Sequence, residues 1–318
     1  MHFARLTSET TETVLDFMRQ HADALMRRRL DEPDAARQLF HNRAIYGHYE
    51  SDQLVALICV PERDHLTWKG KIYFPFVIIP KEHRERERQA LSGFLTVWRA
   101  EQSAHWRRMI IYDDTADARQ ASFLTAEGFR MVSRHLKHVR DLNGGPPTAE
   151  EFPRVAEALS EGYTLSAPTV SEIEADSHLA DQLVAVRNAT FALRGDADQW
   201  TRAEMLRQMK MPGAMMIVVW HSGMPVGLAL LFHIQDGEDK GESYVSEIVV
   251  QRRHWGKVAA DLLGFEMLRR CCAIGAQTIA GVADERNRAS RNLMERFGLT
   301  VRKVSTSWHL EMPPSVSQ

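Results

Sequence analysis

The feature that most constrains the fold is a long-period internal repeat of element types, held in register by one fixed offset. Gly128 and Gly298 lie 170 residues apart (298 − 128), and each stands where a glycine closes a helix. The same spacing pairs Asp117 with Asn287, Phe123 with Leu293, Phe129 with Leu299 and Arg84 with His254. Two unrelated domains would not keep register in this way. The chain therefore reads as two units of one layout, and its 318 residues give each enough length to bury its own core. The run Asn143-Gly144-Gly145-Pro146-Pro147 suits neither helix nor strand. The expected division is a first domain over 1–142, a linker over 143–161 and a second domain over 162–318.

Hydrophobic spacing fills in the elements. In the first half it predicts strands at 2–6, 44–49, 54–61, 71–79, 108–113 and 129–140. Helices are predicted up to about residue 41, over 81–103 and over 116–126. The second half predicts strands at 163–166, 214–221, 225–234, 242–250, 278–282 and 300–310, with helices at 172–190, 201–210, 256–274 and 286–297. The alternation of strands and helices gives an α/β class.

Composition removes several functions. The formal net charge of -2 gives no case for bulk attraction to nucleic acid or to an anionic membrane. Basic clusters at Arg27-Arg28-Arg29 and Arg84-Glu85-Arg86-Glu87-Arg88 have acidic residues in or beside them and read as solvated helix faces. Cys59, Cys271 and Cys272 show no CxxC spacing, so neither a disulfide framework nor a structural zinc is expected. His135 and His138 fall three apart on a predicted strand and so face opposite sides, which does not make a metal pair. There is no apolar leader over Met1–Arg5 and no apolar run of about 18 residues, so a cytoplasmic protein is expected. Oligomeric state is left open.

Chemistry concentrates where strand Ser246-Glu247-Ile248-Val249-Val250 runs into Gln251-Arg252-Arg253-His254-Trp255-Gly256-Lys257-Val258-Ala259 and then a helix. A basic, glycine-containing turn that opens a helix is physically an anion cradle. The first helical N–H groups have no internal partner and lie at the positive end of the helix dipole. Gly256 lets a ligand approach the backbone, while Arg252, Arg253, His254 and Lys257 add charge. Gly256-Lys257-Val258 lacks the upstream glycine and the hydroxyl residue of a Walker loop.

Downstream, Asn287 opens a helix after a strand, and Phe297-Gly298-Leu299 ends it. With these motifs in order, the second half resembles the GCN5-related N-acetyltransferase (GNAT) superfamily, and the first half does so more faintly. That family carries an Arg/Gln-x-x-Gly-x-Gly/Ala turn after its fourth strand and an Asn-x-x-Ala-x-x-Leu-Tyr-x-x-x-Gly-Phe helix after its fifth. The whole is similar to the tandem arrangement of the mycothiol synthases. The resemblance implies two tandem domains, each a mixed, mostly antiparallel sheet flanked by helices. It implies acetyl-CoA as acyl donor, no metal, and an amine acceptor that is a small molecule or an amino terminus.

Carried over residue by residue, Ile248, Val249 and Val250 match the strand that pairs with the pantetheine arm. The stretch Arg253, His254, Trp255, Gly256, Lys257, Val258 and Ala259 matches the pyrophosphate turn, and Asn287 matches the asparagine near the coenzyme. There are departures. Lys257 occupies the first glycine position when His254 leads, and Val258 occupies the last when Arg253 leads. An amine attacking a thioester must lose a proton, and Glu247 lies where many members carry an acidic residue, so it is the expected general base. The family's tyrosine acid falls on Met294, which cannot donate a proton; Tyr244, Ser290 and His233 are the substitutes. The backbone N–H of Val249 or Val250 is expected to meet the charge on the carbonyl oxygen.

The first half has moved away from this chemistry. Its turn His83-Arg84-Glu85-Arg86-Glu87-Arg88-Gln89 has no glycine and two carboxylates, and Val77, Asp117 and Leu124 replace the glutamate, asparagine and tyrosine. It is expected to be structural or a wall of the acceptor site. In the second half Trp200, Asp196 and Asp198, with Asp236, Glu238 and Asp239, could favour a cationic acceptor; the plainer reading is solvated loops. Two rivals to the transferase stay open: an acyl-CoA-binding or regulatory protein with weak catalysis, and a purely structural tandem protein.

Overall fold

The computed structural model describes residues 2–22, 43–64, 70–101, 106–114, 117–191, 199–235, 239–256 and 258–312. They form two compact units, 1–134 with 305–318, and 135–304. Arg27-Arg28-Arg29, Asp196, Asp198, Asp236, Glu238 and Lys257 lie outside the described residues, as does the side chain of Arg84.

The first unit opens with β1 (His2–Arg5), α1 (Thr11–His21), β2 (Arg43–Glu50), β3 (Gln53–Asp64), β4 (Gly70–Tyr73) and β5 (Phe76–Ile78). A 3-10 turn over Lys81–Arg86 leads into α2 (Glu87–Ala100), followed by β6 (Trp106–Asp113) and α3 (Ala118–Ala126). Next comes β7 (Arg130–Asp141), where the chain passes into the second unit. There lie α4 (Arg154–Ser160), β8 (Tyr163–Ser166), α5 (Val170–Ala175), α6 (Ser177–Phe191), α7 (Arg202–Met209), β9 (Ala214–His221), β10 (Met224–His233) and β11 (Glu242–Val250). The chain ends in α8 (Ala259–Ala273), β12 (Thr278–Asp284), α9 (Arg288–Arg296) and β13 (Thr300–Met312).

Each sheet is mixed and mostly antiparallel. The first runs β1-β2-β3-β4-β6-β13, with β5 beside β3; the second runs β7-β12-β11-β10-β9-β8. The parallel pairs are β4 with β6 and β11 with β12. Helices cover both faces. In the second unit α8 and α4 pack over Ile217, Ala229 and Val245, while α5, α6 and α7 pack over Val218, Leu228 and Val249. In the first unit α2 and α3 cover Ile58 and Met109, and α1 covers Ile45 and Leu57.

The terminal strands depart from the sequence expectation. Residues 135–141 pair with β12 in the second unit, and 306–312 pair with β6 in the first. The unit boundaries therefore differ from 1–142 and 162–318, because a strand's period shows that it alternates but not which edge it joins. The stretch 143–161 is not a free linker. Phe152 and Ala158 are buried in the second unit's core, and 154–160 is helical. Its apolar residues are too few to show a helical period.

Candidate functional site

The site grows out of a break in strand pairing. The ladder between β11 and β12 ends at Val245 opposite Gly281, so the last five residues of β11 have no β12 partner in it. On the other side β11 stays paired with β10, with one register shift that leaves Ser246 as a bulge. The bulge resets the alternation. Val245, Ile248 and Val250 then belong to the core under α8, and Val249 to the core under α6. Gln251 donates its N–H to Val226 of β10. By strand alternation the N–H and C=O of Val249 also face β10, while those of Ile248 and Val250 face the open edge. Of the two N–H groups expected to meet the carbonyl oxygen, that of Val250 is the one on the open side.

A groove of about 540 Å³ occupies that opening. Ile248 and Val250 form its floor; His254, Trp255, Gly256 and Ala260 form one wall, and Asn287 with Ser290 starts the other. Gly256 has φ +70° and open space where a Cβ would stand, so the turn needs a left-handed residue and leaves its backbone uncovered. The N-cap of α8 is Val258, whose side chain makes no cap hydrogen bond. Among the described residues no side chain is seen to take its first N–H groups, and the surroundings fit a phosphate-bearing ligand.

The structure distributes the expected residues unevenly. His254 lines the groove, but its ring is buried, with Nδ1 2.8 Å from the Tyr163 hydroxyl and the His221 ring packed nearby. It anchors the turn from beneath. Trp255 is 52% exposed and donates its indole N–H to the Val250 carbonyl at 2.6 Å, fixing the lip of the groove. Asn287 accepts from the Ser290 N–H as N-cap of α9 and donates to the Ser290 hydroxyl at 2.7 Å. Its first-unit counterpart Asp117 likewise caps α3, so capping alone accounts for the residue type. Arg253 is exposed, and Val249, Val258 and Ala259 are buried in the two cores; none of the four lines the groove.

Glu247, the expected general base, is engaged in an ion pair. The Arg187 guanidinium donates Nη2 to Oε1 at 2.8 Å and Nε to Oε2 at 3.1 Å, and both side chains are buried. Arg187 is in turn flanked by the Phe191 ring at 4.3 Å and the Trp200 ring at 4.5 Å. Asn188 completes the clasp, accepting from the Trp200 N–H and donating to its carbonyl. A carboxylate held on both oxygens serves as a counter-ion to the guanidinium. The sequence could not show this, because Arg187 lies 60 residues away on a helix.

Tyr244 sits in the paired part of β11, opposite Phe232 and Ala280, and does not line the groove. Burial, and secondarily Glu242, raises its phenol above the usual range, so it keeps its proton. His233 lies 3.2 Å from the Ser243 hydroxyl. Met294 is buried against Gly281 and belongs to the core. Of the proposed substitutes for the acid, Ser290 is the one on the groove wall. Sequence reasoning missed Thr190 of α6 and Leu293 and Arg296 of α9, which also line it; helical spacing marks the face of the latter two but not what it faces.

In the first unit the corresponding turn is closed by ion pairing, Arg86 to Glu50 at 2.5 Å. Among the described residues no group of His, Cys, Asp and Glu could hold a metal ion, and no helix is long and apolar enough to cross a membrane.

With this geometry in place, likeness to known proteins falls into line. Residues 181–299 match the Acetyltransferase (GNAT) family. No curated protein matches significantly. A GCN5-related N-acetyltransferase from Sphaerobacter thermophilus is 17% identical with a TM-score of 0.61, covering 99% of this chain and 97% of that one. A tandem GNAT protein from the clavulanic acid biosynthesis pathway is 15% identical with a TM-score of 0.62, covering 99% of each chain. A GCN5-related N-acetyltransferase from Kribbella flavida is 12% identical with a TM-score of 0.55, covering 97% of this chain and 71% of that one. At such identities structural likeness speaks for fold. The chain is a tandem GNAT-fold protein whose second unit carries the sequence pattern of the acetyltransferase family.

Proposed function

We propose that the second unit is an acyl-CoA-dependent N-acyltransferase, acting with acetyl-CoA on a primary amine of a small molecule or an amino terminus. The observation that carries this reading is the open edge of β11 leading straight to a helix N-terminus whose N-cap side chain makes no hydrogen bond. When bound, the coenzyme supplies an acetyl thioester.

The N–H and C=O of Ile248 and the N–H of Val250 would face an extended amide-bearing arm, the Val250 carbonyl being held by Trp255, and Gly256 with the start of α8 would receive its diphosphate. The Val250 N–H polarises the acyl carbonyl as the amine forms its C–N bond and the C–S bond breaks. The Ser290 hydroxyl is the groove's donor toward the departing sulfur. A thiol titrates near ~8.5, so the leaving group needs little help. The amine's proton goes to water, since Glu247 is committed to Arg187. The first unit serves as structure.

Calorimetry with acetyl-CoA on wild type and Gly256→Glu tests the site. Saturable binding is expected for wild type and none for the variant, whose carboxylate would project into the cradle. Wild type that binds no acetyl-CoA sinks the proposal. Binding without thioester cleavage across a broad amine panel selects the rival reading of a coenzyme-binding regulatory protein, for which the Met294 replacement speaks.

A further inference from the structure

Arg296 is the unexpected member of the groove. It lies in the last turn of α9 and lines the same cavity as Gly256 and Ala260. One nitrogen, Nη2, meets Asp261 Oδ1 at 2.8 Å, and the side chain remains 45% exposed. Asp261 is the third residue of α8 and is buried, with Arg154 at 3.4 Å on its other oxygen. Arg154 is itself shared with Glu157 at 3.3 Å, so charge around the carboxylate is balanced without a surplus.

The arrangement is odd for a structural ion pair. A cation beside the first turn of a helix meets the positive end of the dipole, where only an anion makes it favourable. Asp261 supplies that anion from the helix side and leaves the rest of the guanidinium, a planar five-donor fork, turned toward the groove. The turn itself has Lys257 or Val258 where a second small residue would let a phosphate seat deeply. A long cation reaching in from α9 offsets that loss.

We infer that Arg296 is a phosphate ligand for the nucleotide end of the coenzyme, held ready by Asp261. This rests on the coenzyme reading above and adds a residue that neither the turn nor the asparagine motif supplies. Arg296 replaces part of its contact with Asp261 by a charge-assisted fork on a phosphate oxygen pair, and the buried carboxylate keeps the arginine from swinging away.

The test is calorimetry of CoA and of dephospho-CoA, which lacks the 3′-phosphate, on wild type, Arg296→Gln and the double variant Asp261→Asn/Arg296→Gln. The double variant removes both charges and so strands no buried carboxylate; a thermal melt reports its folding. Expected is a roughly ten- to hundredfold weaker CoA affinity in both variants, the range of a charged hydrogen bond. Loss shared by dephospho-CoA places the contact at the diphosphate; loss confined to CoA places it at the 3′-phosphate. Either supports the inference. Variants that melt normally and bind CoA as tightly as wild type overturn it. Wild type that binds neither compound would instead overturn the coenzyme reading beneath it.

Discussion

Arg187 and Glu247 form a buried, two-point ion pair whose worth lies in its completeness. Removing one partner leaves the other charge in a poorly solvated place, which typically costs about 3–5 kcal/mol. Arg187→Met should therefore destabilise by about that amount in denaturant titration, and Glu247→Gln by less, since an amide still accepts one hydrogen bond. In turnover, Glu247→Gln should lower the rate while keeping the acidic limb of the pH profile. Disappearance of that limb would restore Glu247 as the base. A second residue gives a pH prediction in the first unit. His48 is buried against the Phe3 ring, and burial lowers its proton affinity below the ordinary value of 6.5. Glu50 opposes that shift; the N-terminus, Arg86 and His2 reinforce it. The unfolded chain then binds a proton that the folded chain refuses. This group's contribution is constant above about pH 6.5 and is lost as pH falls below it. His48→Leu should flatten the acid side of a stability-against-pH curve, and an unchanged slope would refute this. At this scale the turn and Asn287 were legible because glycine and helix-capping residues are local signals. Arg187 and Arg296 were not, since a charged residue on a helix reads as solvated until its neighbours are known.

Elements were read more faithfully than contacts. Strands 163–166, 214–221 and 242–250 fall where alternation put them, and α3 and α9 begin and end the same 170 residues apart as Gly128 and Gly298. The differences have local causes. The strand expected over 71–79 divides at Phe74-Pro75, because proline donates no hydrogen bond to a ladder. The helix expected over 172–190 divides at Asp176, whose carboxylate accepts from the N–H groups of His178 and Leu179 and so starts a new helix. The packing of α8 on Phe297 was invisible in the sequence. A Cβ on Gly264 would stand 2.2 Å from the ring of Phe297, the residue that follows α9, so that ring lies directly on the α8 backbone. Gly264→Ala should gain helix propensity but force α9 outward, with a net loss of about 1–3 kcal/mol and weaker coenzyme binding. A variant more stable than wild type would show that the contact relaxes freely.

The molecule as a whole was read correctly as a tandem and wrongly as two self-sufficient halves. Each sheet takes one strand segment from beyond the glycine- and proline-rich break: 306–312 in the first unit and 135–141 in the second. Separately produced fragments 1–142 and 143–318 should each lack cooperative unfolding, and mixing or coexpressing them should restore it. A fragment that melts sharply alone would refute this. Ribosomal synthesis proceeds from the N-terminus, and most domains fold as they emerge. Here β6 pairs with a strand encoded far downstream, so the first unit cannot complete its sheet until β13 has been made. That edge of β6 stays without this partner until β13, some 190 residues further along the chain, has been made, which leaves a strand edge open to other pairings in the meantime.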